Sequence, residues 1–155
     1  MTKPKALPED EAQQLRRTAL NLLARREHSA LELRHKLLVR GHAEAAIDAE
    51  LARLVEEDLL NEGRYAEVYA HSRADRGYGP LRITRDLRER GVDPETVETV
   101  LAELDGFWMA QLQRLHGKRF GKVPGSAPEQ ARQMRFLRQR GFTLDQINRL
   151  FKESS

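Results

Sequence analysis

An Arg-Gly pair recurs at Arg40-Gly41, Arg90-Gly91 and Arg140-Gly141, at two spacings of 50 residues. Apolar positions keep the same phase: Leu37, Leu87 and Leu137; Ile47, Val97 and Ile147; Leu51, Leu101 and Phe151; Leu15, Tyr65 and Leu115; Leu20, Ala70 and Phe120. A period of this length marks a tandem array of small modules, each burying too little surface to stand alone. Stacking such modules predicts an elongated, curved array rather than a globule.

Within each period the pattern reads as three short helices. In the first, Ser29 to Glu32 has the form of a capping box, Leu31, Leu33, Leu37 and Leu38 form an apolar stripe, and Gly41 supplies a left-handed stop. Ser126 to Glu129 starts, and Gly141 ends, the matching helix of the third module, while Pro80 after Gly79 opens that of the second. Asp93-Pro94 and Thr143 to Gln146 open two third helices. No segment alternates as a half-buried strand would, so the class is all-α. The expected organisation is a disordered tail over 1–12 and three-helix repeats over 13–61, 62–105 and 106–155. Asn61-Glu62-Gly63 and Asp105-Gly106 are expected as linkers.

The 155 residues include no Cys, which excludes disulfides, Cys-ligated metals and a thiol nucleophile. No apolar run reaches the roughly 20 residues of a membrane helix, and the N-terminus lacks the pattern of a secretory signal. The formal net charge of +3 hides a strong segregation. Residues 41–62 hold seven acids against one base, and 92–110 hold five acids and no base. Residues 111–140 hold eight bases against Glu129. One reading is a set of solvated helix faces. The sharper one is a basic stripe along side-by-side second helices: Arg34, Lys36 and Arg40, then Arg82, Arg85 and Arg88, then Arg132, Arg135 and Arg138. Lys118 and Arg119 add a basic first helix. Arg-rich stripes suit phosphate or carboxylate partners. Acidic third helices are expected to face solvent, a basic protein surface or a neighbouring module.

No constellation carries catalysis or holds a cofactor. His28, His35 and His42 are seven apart, but Gly41 separates the last from the helix, and no Cys or His-x-x-x-His completes a metal site. Paired carboxylates such as Glu56-Glu57-Asp58 lack a desolvated pocket. Gly77-Tyr78-Gly79-Pro80 is not a nucleotide loop. It reads either as a tight interhelical turn or as a mount for an exposed Tyr78 flanked by Arg76 and Arg82. Trp108, Tyr65, Tyr69 and Phe120 fall at helical apolar positions and read as core.

The run Leu59-Leu60-Asn61-Glu62-Gly63-Arg64-Tyr65-Ala66, then Arg73, Gly77-Tyr78-Gly79-Pro80-Leu81-Arg82-Ile83, Leu87 and Arg90-Gly91-Val92, resembles the central motif of the RecX regulatory proteins. The likeness extends more loosely from about Leu15 to Phe151. It departs at Glu62, where the family usually has Asp, and at Gly63, where a charged residue is usual and glycine is expected to loosen the turn. The resemblance implies a cytoplasmic, non-enzymatic protein that binds the RecA filament on single-stranded DNA. It implies inhibition of ATP hydrolysis, strand exchange and co-protease activity, with no cofactor and no membrane. A monomer is expected. The alternative is a sequence-neutral DNA-binding module or transcriptional regulator, although acidic third helices make poor major-groove readers.

Overall fold

The computed structural model describes residues 8–154, and among them it has nine α-helices and no strand. They run α1 (Pro8–Arg25), α2 (Ala30–Val39) and α3 (Glu44–Glu56); α4 (Glu62–Asp75), α5 (Pro80–Glu89) and α6 (Pro94–Glu103); α7 (Asp105–Arg119), α8 (Ala127–Gln139) and α9 (Leu144–Ser154). The all-α class and the three helices per period are therefore as the sequence implies. The expected tail over 1–12 overlaps the first helix. Residues 1–7 lie outside the described residues, and 8–12 already belong to α1.

Helix starts follow local chemistry. The Ser29 hydroxyl accepts from Glu32 N at 3.1 Å, Asp93 accepts from Thr96 N at 3.0 Å, and Thr143 and Gln146 cap each other reciprocally at 2.9 and 3.1 Å. Ser29 and Ser126 lack the reciprocal half. Glu32 turns instead to Arg26, and Glu129 accepts from Gly125 N. The Arg-Gly pairs end α2, α5 and α8: Gly41, Gly91 and Gly141 have φ of 88°, 82° and 103°. Each glycine N–H and the next residue's N–H return to carbonyls of the preceding turn, as in Gly41 N to Leu38 O and His42 N to Leu37 O.

The two expected linkers are helix starts. Asn61 caps α4 by accepting from Arg64 N at 2.9 Å, and Gly63 is helical rather than loosening the chain. Leu104 alone separates α6 from α7. A single glycine in a first turn is tolerated where the preceding cap and acid favour helix.

The chain divides into two compact units, with the boundary between Tyr65 and Ala66 inside α4. The first holds α1 to α3 around Leu15, Ala19, Leu22, Leu33, Leu37, Ile47, Leu51, Leu54 and Leu60. Its stripe differs from expectation at Leu31, which is exposed. At about 100° per residue it lies on the face opposite Leu33. In the second unit, the central module buries Ala66, Ala70 and Ala74 from α4 with Ile83, Leu87, Val97 and Val100. The third packs Leu112, Leu137, Phe142, Ile147 and Leu150. Leu37, Leu87 and Leu137, one per period, are all fully buried, each stabilising its module by about 1.5–3 kcal/mol.

In the second unit, α5 and α8 meet end to end. Gly79 N donates to Arg140 O at 2.7 Å and Leu81 N to Gly141 O at 2.9 Å. The free amides at the start of one helix thereby satisfy carbonyls at the end of the other, so the positive end of α5 meets the negative end of α8. Pro80 between them has no N–H to satisfy. The expected side-by-side packing of second helices does not hold for this pair.

Candidate functional site

The first unit neutralises five of its eight arginines internally. Arg34 donates to Asp48 at 2.9 Å and to Glu44, and Arg16 donates to Glu50 at 2.9 Å and to Glu57. Arg64 pairs with Glu27 and Asp58, and Arg26 with Glu32. Acids of the third helix α3 thus pair with bases of their own module, while Glu44 and Asp48 also remain more than half exposed to solvent. Lys36 Nζ lies 2.9 Å from Nε2 of the buried His28, whose Nδ1 lies 3.0 Å from the Arg26 carbonyl. These partners fix a neutral ring with the proton on Nδ1. Burial pushes His28 below its ordinary pKa. Arg40 is exposed, with a long contact to the Lys36 carbonyl at 3.3 Å. Of the three first-module stripe residues, Arg34 is neutralised, Lys36 is turned to His28, and Arg40 is exposed.

The second unit is built differently. Among its described arginines only Arg82, 3.7 Å from Asp86, and Arg149, 2.8 Å from Glu153, come within 4 Å of a carboxylate. Aromatic rings hold four of the others. Arg90 lies over Tyr69 at 4.7 Å from the ring centre, and Arg73 over Tyr69 at 5.4 Å and Tyr78 at 5.5 Å. Arg140 lies over Tyr78 at 4.8 Å and Phe136 at 5.5 Å, and Arg119 over Phe136 at 5.0 Å and Phe120 at 6.0 Å. Read in order, Arg90, Tyr69, Arg73, Tyr78, Arg140, Phe136, Arg119 and Phe120 form an unbroken alternation of cation and ring from the central module into the third. Arg82 adds a third guanidinium over Tyr78 at 5.1 Å.

Asp86 anchors the central end. It is buried, and its Oδ2 accepts from the Tyr69 hydroxyl at 3.1 Å, while Arg73 Nε donates to that hydroxyl at 3.1 Å. That bond raises the Arg73 pKa further. The Arg82 Nε points inward and makes no hydrogen bond, which leaves the head group directed over Tyr78. The Gly77 turn sets Tyr78 in place: Tyr78 N donates to Arg73 O at 3.1 Å and Gly77 N to Ala74 O at 2.9 Å. The segment is thus a tight turn, as one reading had it. Tyr78 itself is half-buried among guanidinium groups rather than freely exposed.

The remaining sequence-derived candidates are spread over the second unit. Arg85, Arg88, Arg135 and Arg138 are exposed, with no carboxylate within 4 Å among the described residues. Arg132 joins Arg119, Phe120 and Phe136 around one surface depression. Arg76 and Lys118 line another beside Asp75 and Arg114. Sequence reasoning missed Tyr69, Asp86, Arg90, Phe136 and Arg140. Their signal was four-residue spacing: Tyr69 with Arg73, Asp86 with Arg82 and Arg90, and Phe136 with Arg140 each share a helix face. Tyr65 and Trp108 are core, as expected, whereas Tyr69 and Phe120 are half-buried.

Such a surface offers planar donors and ring faces to a polyanion. Among the described residues no cluster of three His, Asp or Glu side chains could hold a metal ion. Among them, too, no helix is long and apolar enough to cross a membrane.

Three family models match in order: the first three-helix domain of RecX at residues 16–54, the second at 61–101 and the third at 109–151. Regulatory protein RecX of Halorhodospira halophila is 47% identical over 86% of this chain and 83% of its own. That of Pseudomonas syringae pv. tomato is 49% identical over 88% of each. A crystal structure of RecX from Lactobacillus salivarius superposes with a TM-score of 0.80 at 24% identity, covering 94% of this chain and 97% of that one, which speaks for the fold. With three consecutive domain models matched and close to half of all positions shared with such relatives, the chain belongs to the RecX family of regulatory proteins.

Proposed function

We propose that this protein is a non-enzymatic, monomeric, cytoplasmic regulator that binds the RecA filament on single-stranded DNA and lowers its ATP hydrolysis, strand exchange and co-protease activity. The observation that carries the reading is the ordered match of all three RecX domain models, joined to relatives named as regulatory proteins. The modules of this reading run 13–61, 62–105 and 106–155. Three tandem modules can engage more than one filament protomer, so weak contacts combine through effective concentration. The unpaired Arg85, Arg88, Arg132, Arg135 and Arg138 supply the positive surface for DNA or an acidic face of RecA, with no cofactor.

The test is a titration of this protein into RecA hydrolysing ATP on single-stranded DNA, with and without excess DNA. Inhibition well below one molecule per RecA, unrelieved by added DNA, is the expected result. Inhibition relieved by added DNA would instead favour the sequence-neutral DNA-binding module, which the carboxylate-free arginines of the second unit also suit. No inhibition at any ratio rejects the regulator.

A further inference from the structure

The arginines of the alternating row differ from those of the first unit in what holds them. A guanidinium stacked on a ring keeps its charge uncompensated and leaves in-plane N–H donors for an outside acceptor, whereas one paired to a carboxylate has its charge offset and some of those donors occupied. Tyr69, Tyr78, Phe120 and Phe136 are each only half-buried, so part of every ring reaches the surface. Phe136 lies between two surface depressions along the row. It lines one depression with Arg119, Phe120 and Arg132, and a second with Tyr78, Arg82, Gln139 and Arg140. Ring faces and planar cations in alternation match a ligand that carries flat π-systems and phosphates in alternation. Single-stranded nucleic acid does so, while a duplex hides its base faces and an acidic peptide offers charge without flat partners.

We propose that this row is a stacking track for single-stranded nucleic acid. A base lodges against Phe136, Arg119 and Arg132 hold phosphate on one side of it, and Arg82 and Arg140 hold phosphate on the other. The proposal rests on the regulator reading and adds that the strand is touched directly, at a surface shared by the central and third modules. The end-to-end bonds from Gly79 to Arg140 and from Leu81 to Gly141 hold the two halves of the track together.

The experiment is fluorescence anisotropy of a labelled oligo(dT), titrated with the whole chain in the absence of RecA. F136L keeps an apolar side chain and removes the ring; R140K keeps the charge and removes the plane. Each is expected to weaken single-strand affinity roughly tenfold, the size of one lost stacking contact. The slope of log affinity against log salt should stay unchanged, because neither variant removes a charge. Duplex affinity should fall less. Helical circular dichroism checks the fold, and R140K decides alone where F136L disturbs α8. Unchanged oligo(dT) affinity in the folded variants overturns the track, as does an equal fall for single strand and duplex. Loss confined to binding of DNA-free RecA overturns it in favour of a protein-docking face. A wild-type protein that binds oligo(dT) as described but leaves RecA ATP hydrolysis untouched rejects the regulator reading and leaves the track standing.

Discussion

Gly141 and Gly41 hold the same place in the fifty-residue repeat, yet their surroundings differ. A Cβ on Gly41 would meet nothing within 4 Å, while one on Gly141 would lie 2.4 Å from Arg82 Cβ and 2.6 Å from Arg82 N. Both have positive φ, so alanine at either site carries a conformational penalty of about 1–2 kcal/mol. At Gly141 the added methyl must also push back the first turn of α5, and with it the bond from Leu81 N to Gly141 O. G141A is therefore expected to destabilise the protein by about 3 kcal/mol or more, well beyond G41A. Urea unfolding followed by circular dichroism checks this. Equal midpoint shifts for the two variants would mean that α5 and α8 do not touch in solution. Gly79 faces the same junction from the other side, since its Cβ would lie 2.6 Å from the Gly141 carbonyl.

Whole helices show which part of a fold is written locally. Starts at Ser29, Asp93 and Thr143 were legible because a cap is chemistry between residues three apart. The destination of Glu32 was not, because Arg26 competes for it from outside the helix. Asn61-Glu62-Gly63 looked like a linker by composition. It became a helix start because Asn61 caps it and Glu62 accepts from Ala30 N at 2.6 Å, a partner 32 residues away. The contact of α7 with α8 also escaped the apolar pattern. His116 and Gln133, both buried, join at 2.8 Å from Nε2 to Oε1. Q133L leaves that His116 nitrogen buried without a partner and is expected to cost about 1–3 kcal/mol. Replacing both partners, as H116F with Q133L, is expected to recover most of the loss, because the buried pair is then removed whole and the Lys122 carbonyl, which loses the Gln133 amide, belongs to an exposed residue. Thermal melts of the two single variants and the double variant form the cycle. A double variant no more stable than Q133L would place the loss in packing rather than in the hydrogen bond.

Across the whole molecule, the repeat was legible because three copies of one core phase repeat in sequence, and those positions are core or half-buried in the structure. The segregation of charge was legible too, but not its consequence. Whether an arginine is spent on a carboxylate, as Arg34 is on Asp48, or stacked on a ring, as Arg140 is on Tyr78, depends on residues distant in sequence. The same division makes the two units respond differently to acid. Hydrogen bonds from Arg34 hold Asp48 below the usual carboxylate range, Arg16 does so for Glu57, and Asn61 with Arg64 for Asp58. At Glu32 burial opposes ionisation, but Arg26 outweighs it. A lowered folded-state pKa stabilises fully above the unfolded value, near pH 4 for carboxylates, and the contribution is lost as pH falls through the lowered value. The lowered pKa of His28 has the same sign, its contribution fading below about pH 6.5. All five groups lie before Tyr65. In the second unit only Asp93 is held low among the described carboxylates, by the Thr96 amide it caps. The single tryptophan, Trp108, is buried in the second unit and reports on it alone. Acid titration from pH 7 is therefore expected to lower the helical dichroism before Trp108 fluorescence changes. Added salt should move the first event to higher pH by screening the exposed ion pairs. Coincident transitions, or an earlier change at Trp108, would mean that the Arg16 and Arg34 pairs do not set the stability of the first unit.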